Sequence, residues 1–114
     1  MPLDNHRHST DDLSLDACLE VLSNHQRREI LRFFHDSDTD HAPVDELITE
    51  IIDAEANVTG KRPGHDTIAS TMFHIHLPKL ADAGVLDYDT RNLEVTYHGN
   101  AKIDELYAAI REFE

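Results

Sequence analysis

The stretch from residue 65 to residue 97 constrains the fold of this chain more than any other. Its first part is an amphipathic segment that ends at Gly84, and a glycine directly after a helical pattern is typical of a helix end. Two short runs with alternating apolar side chains follow, residues 85–89 and 93–97, with a turn-like connector around Arg91 between them. This order predicts a helix, a glycine stop and a two-stranded antiparallel hairpin with an arginine at its tip.

Apolar residues recur with helical spacing in four further segments of the chain. Ser14 and Asn100 are placed to cap the first and the last of these helices, and Ser23 begins a capping-box pattern before the second. Pro43 lies near the start of the third, where a missing amide is tolerated. We therefore expect about five helices plus a two-stranded wing, a mainly α fold of the α+β class.

The length and composition predict one small domain. The chain has 114 residues, of which 39% are apolar, and no run is long enough to span a bilayer. Residues 1–12 are polar and unpatterned and lack the order of a signal peptide, so they predict a disordered N-terminal arm. The folded domain is expected over residues 13–98, with a C-terminal helix over 99–114. A cytoplasmic protein that does not enter membranes is the expectation.

The net charge bears directly on the class of partner. The formal charge is −13, from 23 acidic and 10 basic residues, and nonspecific nucleic-acid binding depends on cationic surface. In a cytoplasm of molar salt, screening shortens to about 3 Å, so an acidic surface repels DNA much less. The composition therefore predicts a halophilic protein. The alternative is an ordinary acidic protein that does not touch DNA.

The helix before the wing has two distinct faces on a helical wheel. Its apolar side carries Ala69, Met72, Phe73, His76, Leu77 and Leu80. The opposite side carries short hydrogen-bonding residues, namely Thr67, Ser70, Thr71 and His74. Short polar side chains allow a helix to lie deep in a major groove and contact base edges. The face is therefore a candidate for DNA recognition, and a plain solvated face is the alternative.

The few basic residues add to this candidate site. They lie early on the second helix, before and late on the predicted recognition helix, and at the wing tip; they are Arg27, Arg28, Lys61, Arg62, Lys79 and Arg91. A duplex that contacts the recognition helix and the wing together would bring phosphates near these side chains. Each of them could instead form a surface ion pair of little energetic consequence.

The histidines and the cysteine do not predict a metal site. His74 and His76 are two residues apart on a helix and point in nearly opposite directions, so they do not share an ion easily. His76 is expected in the core, and Cys18 is expected as a small buried apolar residue. No nucleophile–base pair, phosphate-binding glycine loop or paired-carboxylate motif stands out. We expect no metal, no cofactor and no enzymatic activity.

Two segments carry a resemblance to a known class of proteins. The sequence Leu-Ser-Asn-His-Gln-Arg-Arg-Glu-Ile-Leu from Leu22 resembles the opening of the second helix of the ArsR-like winged helix-turn-helix regulators. The phrase His-x-His-Leu-Pro-Lys-Leu-Ala-Asp-Ala-Gly from His74 is similar to one that recurs in an uncharacterised winged-helix domain family of halophilic archaea. The resemblance implies a winged-helix fold and regulation of transcription. Many ArsR-like metal sensors carry a cysteine pair near the third helix, and residues 44–50 have none, so metal sensing is not implied.

The C-terminal helix predicts an assembly. Its apolar stripe has little left to cover in so small a domain, and together with the first helix it predicts a homodimer through Leu15, Leu19, Ile103, Leu106, Tyr107 and Ile110. The leading hypothesis is a dimeric regulator that binds double-stranded DNA sequence-specifically. The alternative is a winged-helix module that has lost DNA binding and contacts an unknown protein partner.

Overall fold

A computed structural model describes residues 13–113 of the chain, so the predicted N-terminal arm lies outside the described residues. The elements follow in the order α1 (Leu15–Leu22), α2 (His25–Asp36), β1 (His41–Pro43), α3 (Val44–Thr59), α4 (His65–Thr71), a π-helical turn (Met72–His76), α5 (Leu77–Asp82), β2 (Leu86–Asp89), β3 (Glu94–Tyr97) and α6 (Ala101–Arg111). Because α4, the π-helical turn and α5 follow one another without a break, they form one continuous helix. The described chain therefore has five continuous helices, called helical rods below, and one small sheet. The predicted α+β class is confirmed.

Side-chain caps fix most of the helix starts. Ser14 accepts a hydrogen bond from the amide of Ala17 at 3.0 Å, and Asn100 accepts one from Ile103 at 3.1 Å, as predicted. The predicted capping box at Ser23 is wrong by one residue. Asn24 is the N-cap of α2, because its carboxamide oxygen accepts from the amides of the second and third helical residues.

The predicted two-stranded wing is part of a three-stranded antiparallel sheet with the order β1-β3-β2. Strands β2 and β3 pair directly after the helix that ends before Gly84, whose φ of 77° is the left-handed value expected of a helix-ending glycine. The sequence analysis missed β1, in which Ala42 pairs with Val95. This third strand joins the wing to the start of α3.

The helix before the wing changes its hydrogen bonding in the middle. The amide of Leu77 donates to the carbonyl of Met72, an i→i−5 bond, and α5 begins directly afterwards with Pro78 in its first turn. A proline has no amide to donate, and the first turn of a helix is where that absence is tolerated. The π-helical turn therefore lets one continuous helix include Pro78.

All five helical rods and the sheet contribute to a single core. Cys18 is fully buried within it, as predicted. Ile103 and Tyr107 of α6 belong to the same core, so the C-terminal helix packs as an integral part of the domain and lies against α1. Within residues 13–113, no helix is both long and apolar enough to cross a membrane.

Candidate nucleic-acid interface

The exposed face of α4 and the π-helical turn carries three of the four predicted side chains. Thr67, Ser70 and His74 are exposed. Nδ1 of His74 lies 3.0 Å from the carbonyl oxygen of Ser70. Because a carbonyl only accepts, Nδ1 carries the proton, which leaves Nε2 of the neutral ring as an outward acceptor. The face therefore combines two hydroxyl groups with one imidazole acceptor.

Thr71 does not belong to this exposed face, which corrects the sequence-based prediction. Its side chain is half-buried, and its hydroxyl donates to the carbonyl of Ile68 at 3.0 Å. The same hydroxyl lies 3.5 Å from Oε1 of Gln26 on α2. Thr71 sits at the edge of the helix that turns toward α2, so it connects two helices inside the domain.

The wing tip and the start of α4 are attached to two consecutive residues at the beginning of α3. The amide of Val44 donates to the carbonyl of Leu93 at the wing tip, over 2.9 Å. The carboxylate of the next residue, Asp45, accepts from Nε2 of His65, the first residue of α4, over 2.6 Å. The beginning of α3 thus holds the wing tip and the candidate recognition helix beside each other.

The wing tip is ordered by Asp89. One of its carboxylate oxygens accepts from the amides of Arg91 and Asn92 at 2.8 and 3.2 Å, and the other accepts from Nδ2 of Asn92 at 2.8 Å. These backbone donors hold the pKa of Asp89 below its usual range. Arg91 is exposed, and its guanidinium forms no ion pair with any residue in the described part of the chain.

Arg27 is a correction to the predicted DNA contacts, whereas Arg28 is engaged only in part within the domain. Arg27 is only 4% exposed, and its Nε and Nη2 donate to the carbonyls of Val21 and Glu20, both at 2.8 Å. Arg28 is half-buried, and its Nη1 donates to the carbonyl of Leu22 at 2.7 Å. Helix ends leave carbonyls without intrahelical partners, so both arginines complete the end of α1.

The remaining basic residues differ in what they contact. Arg62 pairs with Asp53 at 2.9 Å, and Lys79 pairs with Glu20 at 3.1 Å. Lys61 lies exposed in the loop before α4 and has no ion pair among residues 13–113. Of the exposed basic residues around the candidate face, Lys61 and Arg91 thus differ from Arg62 and Lys79 in forming no ion pair within residues 13–113.

A buried polar network fixes the other side of the candidate recognition helix. His76 is 3% exposed, its Nδ1 accepts from Nη1 of Arg27 at 3.2 Å, and its Nε2 donates to Oε1 of Gln26 at 2.9 Å. Nε2 of Gln26 in turn donates to Glu55 on α3 at 2.6 Å. Burial, reinforced by the charge of Arg27, lowers the pKa of His76 to about 4. His76 is a satisfied core histidine, as predicted.

The predicted dimer surface divides into buried and exposed residues. Ile103 and Tyr107 are 0% and 2% exposed in the single chain, so their assignment to a dimer surface is wrong. Leu15 and Leu19 on α1 are 61% and 44% exposed. The other two residues, Leu106 and Ile110, are partly buried against the core.

Sequence reasoning missed the residues that hold the site together. Asp89 had a recognisable signal, since an aspartate two residues before the centre of a turn commonly accepts from the turn's own amides. The links through Val44 and Asp45 had none, because they depend on contacts between distant parts of the chain. In the part of the chain that the structure describes, no group of three histidine, cysteine, aspartate or glutamate side chains is arranged to hold a metal ion.

Comparisons with known proteins identify one family. The sequence model of a domain of unknown function (DUF7344) matches residues 19–96, from within α1 to the middle of β3. No curated protein and no solved structure matches the chain significantly. The matched region contains the candidate recognition helix and the wing and leaves out α6. Since the match spans more than half of the chain, this protein belongs to the DUF7344 family.

Proposed function

We propose that this protein is a transcriptional regulator of the winged-helix class that binds double-stranded DNA sequence-specifically. One observation carries the proposal: an exposed face of Thr67, Ser70 and His74 lies on a helix whose start is tied to the wing tip through Val44 and Asp45. Among residues 13–113, those three side chains form no hydrogen bond or ion pair with an acidic group. A strongly acidic chain that leaves such a face uncharged is consistent with a face that contacts an anionic duplex.

The proposed mechanism divides recognition between the helix and the wing. The hydroxyls of Thr67 and Ser70 donate or accept at base edges, and Nε2 of His74 accepts from the amino groups that adenine and cytosine present in the major groove. Arg91 and Lys61 contact phosphates and fix the register without reading the sequence. Molar salt reduces the repulsion from the acidic remainder of the surface.

The proposed assembly is a homodimer in the cytoplasm of a halophile. The exposed residues Leu15 and Leu19 of α1, with the partly exposed Leu106 and Ile110 of α6, supply its contact. A two-fold dimer presents two recognition helices, which suits a palindromic site with half-sites about 34 Å apart. No metal or cofactor takes part.

The test is selection from a random pool of DNA duplexes, in dilute buffer and in molar potassium chloride. The unmodified chain is expected to enrich one sequence. Ser70→Ala and His74→Ala are each expected to weaken binding to the preferred sequence by roughly 1–3 kcal/mol. Their binding to other sequences is expected to stay unchanged. Arg91→Ala is expected to weaken binding to all sequences about equally.

Two matched controls accompany these variants. Thr49→Ala removes a hydroxyl on α3 that bonds to its own helix, and it controls for Ser70→Ala. Arg111→Ala removes an arginine on α6 that pairs with Asp36, and it controls for Arg91→Ala. Both controls are expected to bind DNA as the unmodified chain does. If no sequence is enriched in either salt, the proposal is refuted.

A protein-interaction module is the second candidate function. It is favoured by the ion pairs that already occupy Arg62 and Lys79, and by exposed carboxylates of Asp45 and Asp66 beside the start of α4. In this case the same face would contact an unidentified protein. Absence of DNA enrichment, with the fold intact in both salts, is the result that favours this module.

A further inference from the structure

A groove of about 420 Å³ separates the candidate recognition helix from the wing tip. Apolar side chains line most of it, from α3 and the residue before it, from α4 and the π-helical turn, and from the wing; they are Pro43, Val44, Ile48, Ala69, Phe73 and Leu93. A volume of this size suits a small organic molecule, since ligand pockets commonly enclose about 300–1,000 Å³.

The polar groups of this groove lie at its rim and are mainly acceptors. The rim is formed by Asp45, His65 and Asn92. One carboxylate oxygen of Asp45 accepts from Nε2 of His65, and Nδ2 of Asn92 donates to Asp89. The second oxygen of Asp45 and the carboxamide oxygen of Asn92 remain as acceptors. Among residues 13–113, no lysine or arginine lines the groove, and the imidazole of His65 is paired with Asp45.

On the side of the wing, the groove is lined by Leu93, whose backbone conformation is strained. Leu93 is 50% exposed and has a φ of 56°, the only positive φ of a non-glycine residue in the described chain. A bulky side chain in the left-handed region is strained, and such strain is concentrated at functional positions. The strained backbone places Leu93 at the edge of the apolar groove, where half of its side chain stays exposed.

We propose that this groove binds a small organic cation, an amine attached to a compact apolar body. The apolar walls take up the body of the ligand, with the ring of Phe73 as the largest contact surface. The ammonium group is held at the rim by Asp45 and by the carboxamide oxygen of Asn92. A carboxylate of the same shape is disfavoured, because it would meet the charge of Asp45, and the one basic side chain that lines the groove, His65, is already paired with that carboxylate.

This inference goes beyond the proposed function and does not depend on it, because binding is measured on the protein without DNA. The experiment follows amide resonances by NMR during titration with 2-phenylethylammonium and, separately, with 3-phenylpropionate. Both probes carry the same phenyl ring and differ in the sign of their charge. The measurement is made at about pH 8 and repeated at about pH 9, because the hydrogen bond to Asp45 raises the pKa of His65 above its ordinary value.

The ammonium probe is expected to shift the amides of Ala69, Phe73 and Leu93 in a saturable manner, and the carboxylate probe is expected to bind more weakly. Asp45→Asn keeps an acceptor for His65 and removes the charge, so it should weaken binding by about two- to fivefold. Glu46→Gln removes the neighbouring charge, which does not line the groove, and should leave the affinity unchanged. Ala69→Leu fills the groove and should abolish binding while the remaining spectrum is retained.

Four results would overturn the proposal. They are the absence of saturable shifts with the ammonium probe, equal or tighter binding of the carboxylate probe, equal weakening by Asp45→Asn and Glu46→Gln, and unchanged binding by a folded Ala69→Leu variant. None of these results bears on whether the protein binds DNA. A failure of the ligand site is therefore distinguishable from a failure of the proposed function.

Discussion

Arg27 donates a hydrogen bond from Nη1 to Nδ1 of His76 across 3.2 Å, although the two residues are 49 positions apart. The same guanidinium donates to the carbonyls of Glu20 and Val21 at the end of α1. One buried side chain therefore connects α1 to the candidate recognition helix. The contact fixes the inner face of that helix while its outer face stays exposed.

Replacement of Arg27 tests how much this connection contributes. Arg27→Lys keeps the charge, but its single nitrogen cannot replace the three separate nitrogens with which Arg27 contacts two carbonyls and an imidazole. Buried acceptors that lose their donors are costly, so the free energy of unfolding should fall by at least about 2 kcal/mol. Chemical denaturation in molar potassium chloride gives the measurement.

Arg62→Lys is the matched control, since Arg62 forms an exposed pair with Asp53. Its effect should remain below about 0.5 kcal/mol because exposed ion pairs contribute little. Equal effects of the two substitutions would contradict the structural role assigned to Arg27.

The pH dependence of stability tests the buried state of His76. Its pKa is lowered from 6.5 to about 4, so the unfolded chain takes up a proton at a higher pH than the folded chain does. The contribution of His76 to the free energy of unfolding is complete above pH 6.5 and is lost progressively as the pH falls toward 4. The expected loss is about 3 kcal/mol over this window.

His76→Gln isolates this contribution from that of the many carboxylates. A glutamine can still accept from Arg27 and donate to Gln26, but it does not titrate. The unmodified chain should therefore lose unfolding free energy relative to the variant as the pH falls from 6.5 to 4. A difference that stays constant across the window would show that His76 is not held neutral.

Features determined by neighbouring residues were predictable from the sequence. The caps at Ser14 and Asn100 and the glycine stop at Gly84 depend on a few adjacent positions, and all three are confirmed. The hairpin was predictable for the same reason, because alternation and turn residues are local signals. Strand β1 was not, since only Ala42 of its three residues is buried and its pairing depends on β3.

The candidate site was predictable only in part because a sequence pattern does not show what covers a side chain. Arg27 and Arg62 are equally basic, yet one lies in the core and the other on the surface. The stripe on α6 correctly identified the apolar side of that helix. It could not show that the domain itself buries Ile103 and Tyr107.

The division of the predicted dimer surface into buried and exposed residues gives a prediction that separates folding from assembly. Ile103→Ala removes a fully buried side chain and should lower the free energy of unfolding by about 2–5 kcal/mol. Leu15→Ser combined with Leu19→Ser changes exposed residues and should leave the stability of the single chain nearly unchanged. The double variant should nevertheless shift the dimer to the monomer.

Light scattering over a range of protein concentrations in molar salt measures this shift. The unmodified chain is expected to have the mass of a dimer, and the double variant that of a monomer. A monomeric mass for the unmodified chain at all concentrations would contradict the dimer. An unchanged dimer in the double variant would exclude α1 from the contact.

The wing tip gives a prediction about local order. Asp89→Ala removes the acceptor of the amides of Arg91 and Asn92, whereas Asp89→Asn retains one oxygen that can accept them. Loss of one net hydrogen bond corresponds to about tenfold faster hydrogen exchange. The alanine variant should therefore exchange these two amides about tenfold faster, and the asparagine variant much less. The amide of Tyr97, which donates to Asp40 across the sheet, serves as an internal reference and should not change. If all three amides accelerate together in the alanine variant, Asp89 stabilises the whole sheet and does not act specifically on the tip that presents Arg91.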